Sequence, residues 1–169
     1  LCLLENIEKT DQPRVITPNG SITAGKVVVA INAWMATKFK QFERSILVVS
    51  SDMGITEPIP ELLDKLNLRH GATICDSRLF VHYLHTTSDG RLMLGKGGNT
   101  FAYGSKMIPS FFASSTNENQ IENAIGRFYP KLKPFKMDQS WNGGSDRSTT
   151  GFPFFGNLDG HPNIHYGLG

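Results

Sequence analysis

The sequence has 169 residues, 39% of them hydrophobic and 19% charged, with a formal net charge of +2. That length allows one compact domain with a core of its own, and the composition is that of a globular chain rather than a disordered or fibrous one. A near-neutral balance without a basic cluster gives no electrostatic case for nucleic acid or a membrane surface, and no apolar run reaches membrane-spanning length. Cys2 and Cys75 form neither a disulfide framework nor a C-x-x-C pair, so they read as reduced thiols of a cytoplasmic protein. Leu1 is not a start methionine, and no basic segment precedes an apolar core. No signal peptide is therefore expected, and the chain reads as cut at both ends.

In chain order, Arg14–Thr17 and Ser21–Ala24 flank Pro18-Asn19-Gly20, and Asn-Gly predicts a hairpin because both residues tolerate positive φ. Lys26–Ile31 (KVVVAI) is a continuous apolar run, as expected of a strand buried on both faces. Asn32-Ala33-Trp34 leads into a short helix reaching Phe42. A strand follows over Arg44–Met53. Thr56-Glu57-Pro58-Ile59-Pro60 breaks it, and Leu62, Leu63 and Leu66 mark a helix over Glu61–Leu66. Leu79–Thr86 and Arg91–Lys96 are strand runs joined by a Ser88-Asp89-Gly90 loop. Alternation assigns Phe80, His82 and Leu84 to one face and Val81, Tyr83 and His85 to the other.

Gly95-Lys96-Gly97-Gly98 lacks the G-x-G-x-x-G spacing and opens no helix, so it is not a dinucleotide fingerprint. After an irregular Phe111–Ser115, Asn117 and Gln120 suggest a variant capping box. The helix behind it carries Ile121, Ala124, Ile125 and Phe128 on one stripe and ends at Pro130. Such a helix has to cover the preceding sheet. The last stretch, Trp141–Gly169, is rich in glycine, proline and aromatics, has no helical period, and holds Arg147 as its one arginine or lysine. It reads as short strands and tight turns. His82 and His85 point to opposite faces, and Pro162 interrupts His161-x-x-x-His165, so no metal site is expected.

The order of several segments adds a second line of reasoning. W-x-G-x-x-x-R at Trp141, Gly143 and Arg147, G-F-P-x-x-G at Gly151–Gly156 and D-G-H-P-N-I-x-Y-G-L-G at Asp159–Gly169 together resemble the closing segment of the D-amino-acid-oxidase-like family of FAD-dependent oxidoreductases. That family includes glycine, sarcosine and γ-glutamylputrescine oxidases. KVVVAINAW is similar to the segment that ends the family's FAD-binding part, with Asn32 where a glycine is usual. T-E-P-x-P (Thr56–Pro60), D-G-R-L-x-x-G (Asp89–Gly95) and the Ile125, Arg127, Phe128, Pro130, Leu132 pattern follow in family order.

The resemblance implies an α+β fold, a mixed and mostly antiparallel sheet of about six to eight strands with helices packed on one face. Residues 1–43 would be trailing strands of an FAD-binding domain, 44–140 the substrate-binding sheet with its helices, and 141–169 strands returning towards the FAD-binding domain. It implies oxidation of a C–N bond of an amine or amino acid to an imine. Tyr83, Trp141 and Arg147 would bind substrate, Ala33, Trp34, Gly167 and Gly169 would lie near the flavin, and no residue of the chain is assigned to catalysis. The glycine fingerprint for the pyrophosphate does not appear, so this stretch alone is expected neither to hold FAD tightly nor to be active.

Alternatives stay open. Arg147 could instead make a structural contact with Asp146 or Asp159. The chain could be a non-catalytic binding domain with a self-contained sheet and no exposed apolar face. On the oxidoreductase reading, KVVVAI and Pro153–Phe155 should leave apolar surface for the missing N-terminal domain, or for a second copy of the chain in a homodimer.

Overall fold

The computed structural model describes residues 2–71 and 73–169. The first strands are β1 (Asn6–Glu8), β2 (Arg14–Thr17), β3 (Gly20–Thr23) and β4 (Val27–Val29), followed by the short helix α1 (Trp34–Lys38) and a 3-10 turn over Lys40–Phe42. Next come β5 (Ile46–Thr56), α2 (Pro60–Lys65), β6 (Ile74–Cys75), β7 (His82–Thr86) and β8 (Leu92–Phe101). The chain closes with α3 (Glu118–Phe128), β9 (Met137–Ser148), β10 (Phe154–Asn157) and β11 (Ile164–Leu168).

The α+β expectation holds, but the strands divide among three sheets instead of forming one. β1-β2-β3 and β10-β11-β4 have three strands each, and β6-β7-β8-β5-β9 has five. The β11–β4 pair is parallel and the others are antiparallel.

β5 organises the larger sheet. Ile46, Val48, Ser50, Asp52, Gly54 and Thr56 are buried, whereas on the other face Leu47, Ser51, Met53 and Ile55 are open to varying degrees and Val49 alone is buried. This is the period-2 alternation of a strand with one covered face. The covered face is packed by helices. Ile121, Ala124 and Ile125 of α3 join Leu63 of α2 with Leu84, Leu92 and Leu94 of β7 and β8 in one core. A second core gathers Val29, Met35, Phe42, Ile46, Val48, Leu158, Ile164 and Leu168, and so ties both ends of the chain to β5.

Several elements differ from the sequence reading for identifiable reasons. Pro18-Asn19 alone forms the first hairpin turn, and Gly20, with φ of 144°, already pairs with Thr17 as the first residue of β3. KVVVAI is not buried on both faces. Val29 is buried, but Val28 is 71% exposed, because the outer face of the β10-β11-β4 sheet has no cover among the described residues. Asn117 stands at the start of α3 without capping it. Its amide instead donates to the buried carboxylate of Asp52 (3.2 Å), and its Oδ1 accepts from the Gln120 side chain (3.1 Å). A buried carboxyl group that forms no ion pair among the described residues needs its hydrogen-bond partners, and Asp52 also accepts from Ser115 Oγ (2.6 Å), Asn99 Nδ2 (2.9 Å) and Ser50 Oγ (3.0 Å). Among the described residues, no helix is long and apolar enough to cross a membrane.

Candidate active site

The register of the five-stranded sheet decides which side chains meet. Tyr83 pairs with Gly95, Gly95 with Met53, and Met53 with Trp141, so these four residues form one row across four strands. One step along, Gly97, Ser51 and Gly143 form the next row, and β9 then continues on the same face through Ser145 to Arg147. All point away from the helices, because residues one position off (His82, Lys96, Asp52, Asn142) belong to the covered side. Tyr83, Trp141 and Arg147 therefore share the open face of one sheet.

A cavity of about 140 Å³ lies on this face, lined by Val49, Ser51, Phe80, Tyr83, Ser145 and Arg147, among others. It brings Tyr83 and Arg147 together. Trp141 is not among its lining residues. It stands further along the row, 38% exposed.

Tyr83 is seated by glycine. A methyl group added at Gly95 would lie 2.2 Å from Tyr83 Cε2 and 2.4 Å from Met53 Sδ, so both side chains lie directly on bare backbone. The ring's hydroxyl is 2.6 Å from Ser51 Oγ, a hydrogen bond that fixes its tip against β5. The GKGG stretch thus serves packing within β8.

Neither carboxylate considered for Arg147 takes it. Asp146 accepts from the backbone N–H of Gly169 (2.8 Å), and Asp159 pairs with Lys9. Arg147 donates through Nη2 to the Leu79 carbonyl, and its guanidinium lies 5.9 Å from the centroid of the Phe80 ring. Among the described residues no carboxylate forms an ion pair with it.

The residues assigned to the flavin separate. Gly167 and Gly169 line a shallow depression of about 310 Å³ with Ala30, Asn32, Asp146, Pro153 and Phe155. Asn32 sits there with φ of 52°. This is the left-handed conformation for which glycine is the default and asparagine the best-tolerated substitute. Its Oδ1 accepts from the N–H groups of Ala33 (2.6 Å) and Asp146 (2.7 Å), which ties the end of β4 to β9. Ala33 itself is fully buried in the core, and Trp34 lines a different cavity with Leu3, Leu4, Ile31 and Lys38.

Sequence reasoning missed Ser51 and misplaced Phe80. The alternation of β5 marks Ser51 as an open-face residue, and that signal was legible. Phe80 was counted onto the face of His82, but β7 begins only at His82 and residues 77–80 bend. The bend is fixed by Asp76, whose carboxylate accepts from the N–H groups of Arg78 (3.2 Å) and His82 (3.0 Å) and pairs with His82 Nδ1 (3.0 Å). Burial raises the pKa of Asp76, and the N–H bonds from His82 and Arg78 outweigh that, leaving it below its ordinary value. Burial pushes His82 below its ordinary value against the opposing pull of Asp76. Among the described residues, no group of three or more His, Cys, Asp or Glu side chains could hold a metal ion.

Comparison with known proteins meets this geometry. The family profile described as FAD dependent oxidoreductase (DAO) matches residues 2–169. The chain is 25% identical over 176 aligned residues to a probable oxidoreductase, OrdL, of Haemophilus influenzae, covering 99% of the chain and 36% of that protein. It is 26% identical to the gamma-glutamylputrescine oxidoreductase of Escherichia coli, covering 98% of the chain and 37% of that protein. The chain thus spans just over a third of the length of these relatives. Among solved structures, glycine oxidase from Geobacillus kaustophilus superposes with a TM-score of 0.64 at 17% identity, over 99% of the chain and 42% of that structure. L-proline dehydrogenase from P. horikoshii superposes with a TM-score of 0.67 at 18% identity, over 99% and 44%. These structural likenesses concern the fold.

Proposed function

The chain belongs to the DAO family of FAD-dependent oxidoreductases, and from that premise we propose that it is the substrate-binding portion of an enzyme oxidising a C–N bond of an amine or amino acid to an imine. The observation that carries this reading is the open face of the five-stranded sheet. There Tyr83 and Arg147 line one cavity, and Trp141 stands in the same cross-strand row as Tyr83. The relative named as an oxidoreductase of gamma-glutamylputrescine supports the substrate class.

Each residue has a role that its surroundings permit. Arg147, with no carboxylate paired to it among the described residues and donors left over, would pair with a substrate carboxylate. Tyr83, pinned by Ser51 and Gly95, walls the cavity, and Trp141 extends the apolar surface along the row.

Gly167, Gly169 and Asn32 line this depression and would border the cofactor, although the Phe155 ring packs on Gly167 and Pro153 on Gly169 where a side chain would stand. Ala33 has no exposed surface with which to do so. Nothing among the described residues combines a helix N-terminus with a glycine-rich turn, the arrangement that holds a pyrophosphate, so the remaining part of the protein would supply it. A bound FAD supplies the two-electron acceptor, while the protein contributes orientation and exclusion of water. The apolar outer face at Val28 (71% exposed) and Phe155 (76% exposed) supports the view that this portion packs against the rest of the enzyme. A self-contained binding module would not leave such a face uncovered.

Arg147→Ala in the full-length enzyme tests the reading. KM should rise at least about tenfold for an amino acid, the loss of a charge-assisted bond, and change little for a simple amine. An unchanged KM for every acidic substrate refutes the carboxylate role.

A further inference from the structure

We propose that Phe80 determines the specificity of this cavity for acidic substrates by fixing the guanidinium of Arg147, an inference that rests on the open face being the substrate site. Phe80 lies on the bend before β7, yet it reaches the cavity lined by Tyr83 and Arg147. Three contacts hold its ring. It lies flat on Gly98, where an added methyl group would come within 2.3 Å of Phe80 Cγ. Gly98 also has φ of 75°, so both the conformation and the contact call for glycine at that position. Phe101, itself half exposed, meets the ring edge to face at 5.5 Å. The guanidinium of Arg147 lies over the ring, 5.9 Å from its centroid.

The same dipeptide engages Arg147 twice, because the Leu79 carbonyl accepts from its Nη2 while the Phe80 ring lies beneath its Cζ. An arginine on an open sheet face has many rotamers, and ordering it on binding costs affinity. Here two contacts hold the guanidinium before a ligand arrives, and the donors not used by Leu79 remain for a carboxylate. Asp76 anchors the bend by accepting from the N–H groups of Arg78 and His82 at its base. Phe80 is therefore a positioning residue for Arg147, acting through its aromatic face and not through bulk alone.

The test uses the full-length protein and propionate as a simple unreactive carboxylate, with binding measured by calorimetry for wild type, Phe80→Tyr, Phe80→Leu and Arg147→Ala. Phe80→Leu keeps most of the volume and removes the π face, so propionate should bind about two- to fivefold more weakly. Phe80→Tyr should bind within about twofold of wild type, because the ring remains. In Phe80→Leu, KM for a simple amine, which brings no carboxylate to Arg147, should change less than the affinity for propionate does. Phe101→Leu, at a half-exposed position that tolerates change, should give a smaller loss in the same direction and serves if Phe80→Leu does not fold. If Arg147→Ala weakens propionate binding and Phe80→Leu does not, the role of Phe80 is overturned while the substrate site stands. If Arg147→Ala leaves propionate binding unchanged, the substrate-site reading falls and the role of Phe80 with it.

Discussion

Gly95→Ala isolates the seating of Tyr83 on bare backbone. The new methyl group would lie 2.2 Å from Tyr83 Cε2, 2.3 Å from Cζ and 2.4 Å from Met53 Sδ, where ordinary contact begins at 3.4 Å. The ring has to move by more than an ångström, which breaks its 2.6 Å hydrogen bond to Ser51. Overpacking of this kind costs about 1–3 kcal/mol, and the lost hydrogen bond adds about 1 kcal/mol. Replacing a strand glycine returns about 0.5–1 kcal/mol through the unfolded state. The net is a destabilisation of about 2 kcal/mol, or roughly 4–8 °C in Tm for a chain of this size.

Gly97→Ala is the control, two residues along the same strand. Its added methyl group meets nothing closer than the Ser50 carbonyl at 3.9 Å, so the same propensity gain should appear without the clash. Equilibrium denaturation with urea, wild type against both variants, measures the difference. Combining Gly95→Ala with Tyr83→Ser should recover part of the loss, because the ring that clashes is gone. Equal stability of Gly95→Ala and Gly97→Ala would refute the argument that Tyr83 is positioned by the glycine beneath it.

Other outcomes follow from the covered face. Asp52→Ala should cost about 2–4 kcal/mol in the same assay, since it leaves the buried Ser115 donor and the half-buried Asn99 and Asn117 donors without their acceptor. Ile121→Ala removes a fully buried side chain between α3 and the sheet and should cost about 2–5 kcal/mol. Stability should also fall as pH drops below 6.5, the ordinary value from which His82 is lowered. The unfolded chain takes up that proton first, while the folded chain holds the imidazole neutral until a lower pH, so the His82 contribution is present above 6.5 and lost as pH falls through its folded value. Asp76, Arg78 and Lys96 surround the ring, and His82→Gln should flatten the Tm profile between pH 7 and 5, roughly the window of histidine titration.

Much of the fold was legible because hydrophobic period carries it. The stripe Ile121, Ala124, Ile125 placed α3 on a sheet, and the alternation through Tyr83 put that residue on the face opposite His82 and Leu84, which the structure shows to be the face away from the helices. The division into three sheets was not legible, because strand runs do not state their partners. Only the register shows that β5 pairs with β9 along its whole length while β4 pairs with β11.

In the candidate site, Trp141 and Arg147 were singled out by a resemblance and share a face by a register that the sequence does not display. Phe80 was misassigned because its bend depends on hydrogen bonds to Asp76, a local contact with no periodic trace. Ala33 and Trp34 are adjacent in sequence, but one is buried in the core and the other turns to a separate cavity. Asn32, noted as a departure from a glycine, takes the positive φ that glycine would have taken.

The most direct measurement of the central claim is the flavin absorbance of the full-length protein on anaerobic mixing with amines and amino acids, for wild type and for Tyr83→Ala, Trp141→Ala and Arg147→Ala. The account predicts bleaching by at least one compound with an oxidisable C–N bond, slowed or shifted to higher concentration by changes on the open face. A flavin bleached at the wild-type rate and concentration dependence in all three variants would contradict the assignment of that face as the substrate site.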